Sequence, residues 1–250
     1  MTTVPQSLEQ AIADAKTATQ QALAAGSNRL QIEFVIPEIA LQAQDLALEF
    51  TTLFQDSGID LSGLRVIFPD TGAAALARRD WGETEFRLGD LGSRYIPVDQ
   101  KISEEDQAFL VVSPSSVEVQ AVERLCELAG DRPVVLLIPQ LEDVSIVGIG
   151  YAARQLRERF LSILETSYYF RPLEGAVVVK SYPNPWQVYL EKGEDYELIA
   201  EVPTKPLGEA LENLILEATS PATPDGQEAP KPKKAGIFAS MGRFLKALNQ

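Results

Sequence analysis

The sequence predicts an α/β domain: a mostly parallel, Rossmann-like sheet flanked by helices, then an antiparallel β-meander, a closing helix and a flexible C-terminal tail. Three observations predict it. Apolar runs of strand length alternate with amphipathic runs of helix length as far as Glu165, the pattern of helices packed on a parallel sheet. From Ser167 onward, short apolar runs are separated only by turn residues, the spacing of a meander. After Thr219 the composition turns to Pro, Thr, Ala and charge, which reads as a linker. The organisation that follows is one domain over residues 4–218, a disordered linker over 219–235 and a basic amphipathic tail helix over 236–249.

The elements follow in order. Ser7 to Gly26 is a helix: Ser7 and Gln10 have capping-box spacing, Leu8, Ile12, Ala15, Ala22 and Leu23 share a face, and Gly26 ends it. Leu30, Ile32, Phe34 and Ile36 alternate with Gln31, Glu33 and Val35, so they form a strand with Glu33 on the side away from the apolar row. A helix over residues 40–55 buries Leu46, Phe50, Leu53 and Phe54. Three strand–loop–helix units come next. Their strands are 64–68, 108–112 and 133–138, and their loops begin at Pro69, Ser113 and Pro139. Short extra strands are expected near 85–88 and 95–98. The meander strands are 167–170, 176–182, 186–191 and 196–202. Pro206 then opens a helix carrying Leu207, Ala210, Leu211, Leu214 and Ile215.

Composition excludes several chemistries. The chain has no histidine and one cysteine. Ser-His-Asp and Cys-His catalysis, His-ligated zinc and an internal disulfide are therefore removed. No metal, no cofactor and no catalytic residue is expected. No apolar run approaches the roughly 20 residues of a spanning helix, and the N-terminus lacks the pattern of a secretory signal. Together with the single cysteine this predicts a cytoplasmic protein. The net charge is −14; residues 231–250 hold five Lys or Arg and no acid, so residues 1–230 carry −19. That acidic body argues against nucleic acid as a partner.

The strand-to-helix loops are the candidate site, because in an open parallel sheet they emerge at one edge. Asp70, Thr71 and Gly72, Ser113, Ser115 and Ser116, and Gly148 and Gly150 line it, with backbone N–H groups at helix starts that suit an anion. Arg154 and Arg157, three apart on one helix, add a fork for phosphate or carboxylate. The competing reading makes the loops ordinary caps and pairs Arg154 with Glu158. Neither a Walker loop nor a complete GxGxxG signature is present. Asp70, Glu142 and Asp143 would hold Mg²⁺ only if their loops converge; solvated turn acids are the simpler reading. The Arg78-Arg79-Asp80-Trp81 run is read as a charged helix end with Trp81 covering the core, against a recognition patch. Cys126 is read as core, and Tyr168, Tyr169, Tyr182, Trp186 and Tyr189 as sheet packing.

The tail has its own pattern. Ile237, Phe238, Met241, Phe244, Leu245 and Leu248 fall on one helical face, with Arg243 and Lys246 off it and Lys231, Lys233 and Lys234 before it. Such a segment suits an anionic membrane surface or a partner's groove; docking on the acidic body is the alternative.

Three runs carry a family resemblance: FPDTGAAALARRDWG from Phe68, RPVVLLIPQLEDVSIVGIGYAARQLRERFLSILETSYYFRPLEGA from Arg132, and YPNPWQVYLEK from Tyr182. Over about Val4 to Leu216 the chain resembles the domain of unknown function 1995 family of cyanobacteria and chloroplasts. Its members include low photosystem II accumulation 3 of chloroplasts and a version of the domain fused to an adenylate kinase. The resemblance implies an auxiliary role in photosystem II biogenesis and carries over no catalytic residue. Members often have Asn where this chain has Ile138.

The leading expectation is a non-enzymatic assembly protein whose partner is a protein client, such as a photosystem II assembly intermediate. Its tail would bring it to the cytoplasmic face of the thylakoid membrane as a peripheral protein. The alternative is a binding or catalytic module for a nucleotide or other phosphorylated small molecule in the crevice at the C-terminal ends of the strands. The fusion alone suggests a weaker third reading, a regulatory domain for adenylate metabolism.

Overall fold

The computed structural model describes residues 4–92, 95–141 and 151–219. The first half of the chain runs α1 (Leu8–Ala24), β1 (Arg29–Phe34), α2 (Ala43–Asp56), β2 (Leu64–Phe68), α3 (Thr71–Trp81), β3 (Arg87–Asp90) and β4 (Ala108–Val112). There follow α4 (Val119–Ala129), β5 (Val134–Leu137), α5 (Tyr151–Arg159), β6 (Glu165–Leu173), β7 (Ala176–Ser181), β8 (Trp186–Lys192), β9 (Asp195–Val202) and α6 (Gly208–Thr219). The strands form one sheet in the order β3-β2-β4-β5-β1-β6-β7-β8-β9. Every pairing from β3 to β6 is parallel, and every pairing from β6 to β9 is antiparallel.

The predicted parallel sheet and meander are therefore both present, and they are continuous. Strand β6 belongs to each, parallel to β1 on one side and antiparallel to β7 on the other. It also tolerates a proline in its course. The Val35 N–H donates to the Phe170 carbonyl at 2.8 Å, so Phe170 faces β1. Two residues on, Pro172 faces the same side, but β1 has already ended there, and the missing N–H leaves no ladder bond unmade.

Helices cover both faces, because strands buried on both sides are apolar at nearly every position; β4 and β5 are buried throughout. On one face α1, α2 and α3 pack on Leu30, Ile32, Phe34, Val66, Leu110 and Phe170. Helix α1 meets the sheet mainly through Ala11, Ala15, Ala18 and Ala22, which bring its backbone close. Its buried Thr19 donates to the Ala15 carbonyl and meets Ser167 Oγ at 2.8 Å, so that hydroxyl is satisfied. On the other face α4 and α5 cover Ile67, Phe109, Val111 and Leu136, while α6 covers Tyr169, Val178, Trp186 and Val188.

Local details refine the sequence reading. Ser7 Oγ accepts from the Gln10 N–H, as the capping box requires, but Gln10 Oε1 takes the N–H of Gln6, one residue early. A 3-10 turn over Ile39–Gln42 precedes α2. The segment expected as a strand near 95–98 is instead an isolated bridge between Gly92 and Pro97 with a 3-10 turn at Val98–Gln100. Asp90 holds that corner by accepting from the Gly92 N–H at 2.8 Å and from Lys101. Pro206, expected at a first helical position, lies two residues before α6 begins at Gly208.

Candidate functional site

The helices that follow β1 and β2 lie on one face of the sheet; those that follow β4 and β5 lie on the other. Strands β5 and β1 are neighbours, so at their carboxyl ends the chain departs to opposite faces. Such a switch point opens a crevice. A cavity of about 530 Å³ lies there, lined by residues 33–37, 138–140 and 171–174 together with Ile39.

The crevice is one strand wide, and its cause is visible in the backbone. Strand β1 ends at Phe34, and Pro37 then takes the chain away. Strand β6 continues to Leu173, paired beyond Phe170 only with β7. On the other side Ile138 makes the last bond to β1, its N–H donating to the Ile32 carbonyl at 2.8 Å. Gln140 then leans toward the chain after β4, donating to the Pro114 carbonyl and bridging Ser115. The track that β1 vacates is left between these two walls.

Backbone strain concentrates on the same edge. Ser113 and Ile138, the residues directly after β4 and β5, both have φ of 47°, and Glu38 has φ of 63°. For a β-branched residue such as Ile138 this left-handed conformation is costly. It aims the Ile138 side chain into the core, 4 % exposed, while Pro139 lines the cavity. The Asn that the family resemblance places at this position is a residue that tolerates this conformation.

The polar groups of the crevice come mainly from one face of β1 and β6. Glu33 Oε2 accepts from Lys205 Nζ at 2.7 Å. Glu33 Oε1 is buried and has no hydrogen-bond partner among the described residues. Lys205 also lies over the Tyr169 ring, 4.2 Å from its centroid, and over Trp186 at 5.6 Å. The two rings meet edge to face at 5.0 Å. Burial pushes the Tyr169 hydroxyl up to about 12, against the opposing pull of the Arg171 charge. Arg171 lines the cavity on the same face of β6, two residues beyond Tyr169.

The residues singled out in the sequence fall elsewhere along this edge. Asp70 caps α3, its Oδ1 accepting from the N–H groups of Gly72 and Ala73 at 2.7 and 3.0 Å. Thr71 turns its hydroxyl toward Asp90, at 3.4 Å. The Ser113 N–H donates to the Leu137 carbonyl. Both the N–H and the hydroxyl of Ser115 donate to Glu118 Oε2, at 2.9 and 2.6 Å. Ser116 sits partly exposed in the turn that enters α4. The loops after β4 and β5 do meet, through the Ser115–Gln140 bridge, but the helix-start N–H groups of Gly72, Ala73 and Ser115 are taken by side chains of their own loops. Arg154 and Arg157 are exposed on α5. The third arginine of that helix, Arg159, grips Glu123 of α4 at 2.5 and 2.8 Å. Gly148, Gly150, Glu142, Asp143 and the whole tail from Lys231 to Leu248 lie outside the described residues.

Other readings resolve simply. Trp81 packs its ring on Phe68 and Phe86, covering the core, while Arg79 pairs with Asp80. Cys126 is buried on α4, and burial pushes its thiol up to about 12. Tyr168, Tyr169, Trp186 and Tyr189 are buried in the sheet. Among the described residues no group of three or more His, Cys, Asp or Glu is placed to hold a metal ion, and no helix is long and apolar enough to cross a membrane. Sequence reasoning missed Glu33, Arg171 and Lys205 as a group. The available signal was Glu33, an acid set into an apolar strand; nothing local marks Lys205, 172 residues away.

No solved structure matches the chain. A family model does match, over residues 5–213, which is nearly the whole of the described domain. The run from Arg132 to Ala176, which carries the densest resemblance, supplies β5, β6 and two of the three crevice walls. The chain belongs to the family described as Domain of unknown function (DUF1995).

Proposed function

We propose that this chain is a non-enzymatic binding protein that holds a ligand or client segment in the crevice at the carboxyl ends of β5, β1 and β6. The observation that supports this reading is the cavity of about 530 Å³ at the switch point, within the size range of small-molecule sites. Its walls are mostly apolar side chains, with Glu33, Arg171 and Glu174 as the charged groups. A phosphorylated ligand suits this site less well. Pro37, Pro139 and Pro172 line it and contribute no N–H, and the starts of α3 and α4 along the same edge are already capped.

The family resemblance supports reading the protein as an auxiliary factor in photosystem II biogenesis. The basic tail would act as the peripheral contact with an anionic leaflet, such as the cytoplasmic face of the thylakoid. Two measurements test the reading. Val35 lines the cavity and is 43 % exposed, so Val35→Trp fills the crevice without opening the core. Photosystem II assembly intermediates should copurify with the full chain from a photosynthetic host and be lost with Val35→Trp; equal recovery removes the crevice from the interaction. Flotation with anionic vesicles should retain the full chain and lose a chain ending at Thr219; equal flotation removes the membrane role of the tail.

A further inference from the structure

We infer that the crevice is selective for an amine: a ligand with an apolar body and an ammonium group that Glu33 receives. This rests on the proposal that the crevice is a binding site.

The central observation is the half-satisfied carboxylate. Glu33 stands in the cavity wall with its side chain 15 % exposed. One oxygen holds Lys205; the other is buried without a donor among the described residues. A desolvated carboxylate oxygen is costly to leave unpaired, and a charged N–H donor is its strongest complement. That oxygen is therefore incomplete in a specific chemical sense: among the described residues it lacks a donor.

The walls point the same way. Backbone groups facing a vacated strand track normally alternate donors and acceptors. Here Pro37, Pro139 and Pro172 delete donors from all three wall segments. Each of these prolines leaves a carbonyl oxygen but no N–H on its wall segment. Phe34, Ile36, Ile39 and Leu173 supply the apolar surface for its body.

Lys205 shows that the Glu33 carboxylate accommodates an ammonium. Its Nζ sits on Glu33 and against the faces of Tyr169 and Trp186, an environment that favours a cation. A ligand ammonium would complete the same carboxylate once the Glu33 side chain turns its buried oxygen toward the cavity. Arg171, at the rim, also lets the site accept a carboxylate elsewhere on the ligand.

Calorimetric titration of the full chain with phenethylamine, 2-phenylethanol and 3-phenylpropionate tests this, since the three share a body and differ in the head group. Phenethylamine should bind at least about tenfold more tightly than 2-phenylethanol, the worth of one charged hydrogen bond. Glu33→Gln should bring the two to parity by weakening phenethylamine. Lys205→Met, which frees the second carboxylate oxygen and keeps an unbranched stem over the rings, should tighten phenethylamine further. If phenethylamine and 2-phenylethanol bind equally, or 3-phenylpropionate binds best, the crevice stands and amine selectivity is overturned. If Glu33→Gln and Lys205→Met both leave phenethylamine unchanged, Glu33 is not its receptor. If none of the three binds, the crevice reading itself falls, and the inference with it.

Discussion

The carboxylates of the two halves of the sheet are treated differently. Around β3, β2 and β4 the acids near the sheet leave no buried oxygen without a partner among the described residues. Asp106, fully buried, accepts from Arg65, Arg87 and the Ser103 N–H. Asp90 takes the Gly92 N–H and Lys101, Asp70 caps α3, and Glu118 holds Ser115. At β1 and β6, Glu33 has a partner on one oxygen, while its other oxygen is buried without one among the described residues. The same side of the molecule also holds a second orphan, the buried Tyr168 hydroxyl. The difference teaches where a parallel sheet keeps binding capacity. Folding leaves a buried polar group without a partner at the β5–β1–β6 end, and the proposed site lies there for that reason.

The contrast can be broken, most forcefully at Asp106. Asp106→Ala leaves the Arg65 and Arg87 guanidinium groups without their shared buried partner, and should cost about 3–5 kcal/mol in urea unfolding. A loss below about 1 kcal/mol would mean that the saturated half is not held by its ion pairs. Asp70→Ala uncaps α3 and should cost about 1 kcal/mol by the same measurement. Glu33→Gln should change stability by less than about 1 kcal/mol, because the pair it alters is already incomplete and Lys205 is partly in water; a loss as large as that of Asp106→Ala would erase the distinction between the halves. Tyr168→Phe removes a buried hydroxyl that has no partner among the described residues. It should be neutral or stabilising, by up to about 1 kcal/mol, visible as an unchanged or raised Tm. The smallest effect is at Cys126, buried on the α4 face. Its thiol, pushed up to about 12 by burial, should not react with a disulfide reagent at pH 8 until the chain is unfolded.

Much of this was legible in the residues. The period-2 rows of β1 and the period-3.6 stripes of α1 and α2 predict those elements where they are found. The switch from α/β units to meander at Glu165 is marked by turn residues. The position of the candidate edge follows from the alternation, because parallel strands must present their loops together. The choice of loop along that edge does not follow. Thr71-Gly72 and Ser115-Ser116 have the composition of an anion site, but Asp70 and Glu118 lie two to three residues away and reach the same N–H groups first. Proline was the underused signal. Pro37, Pro139 and Pro172 follow or interrupt three different strands, and each removes a backbone donor from one crevice.

The sequence by itself determined the elements, their class and the family, since these rest on local periodicity, capping and motif runs. Only the tertiary structure decided that β1 stops short of β6, that Ile138 turns through a left-handed conformation, and that Lys205 reaches Glu33 across 172 residues. The physical reason is that strand register and strand ends are set by packing against neighbours distant in the chain, and periodicity carries no record of where a neighbour ends. The crevice exists in that difference of length between adjacent strands.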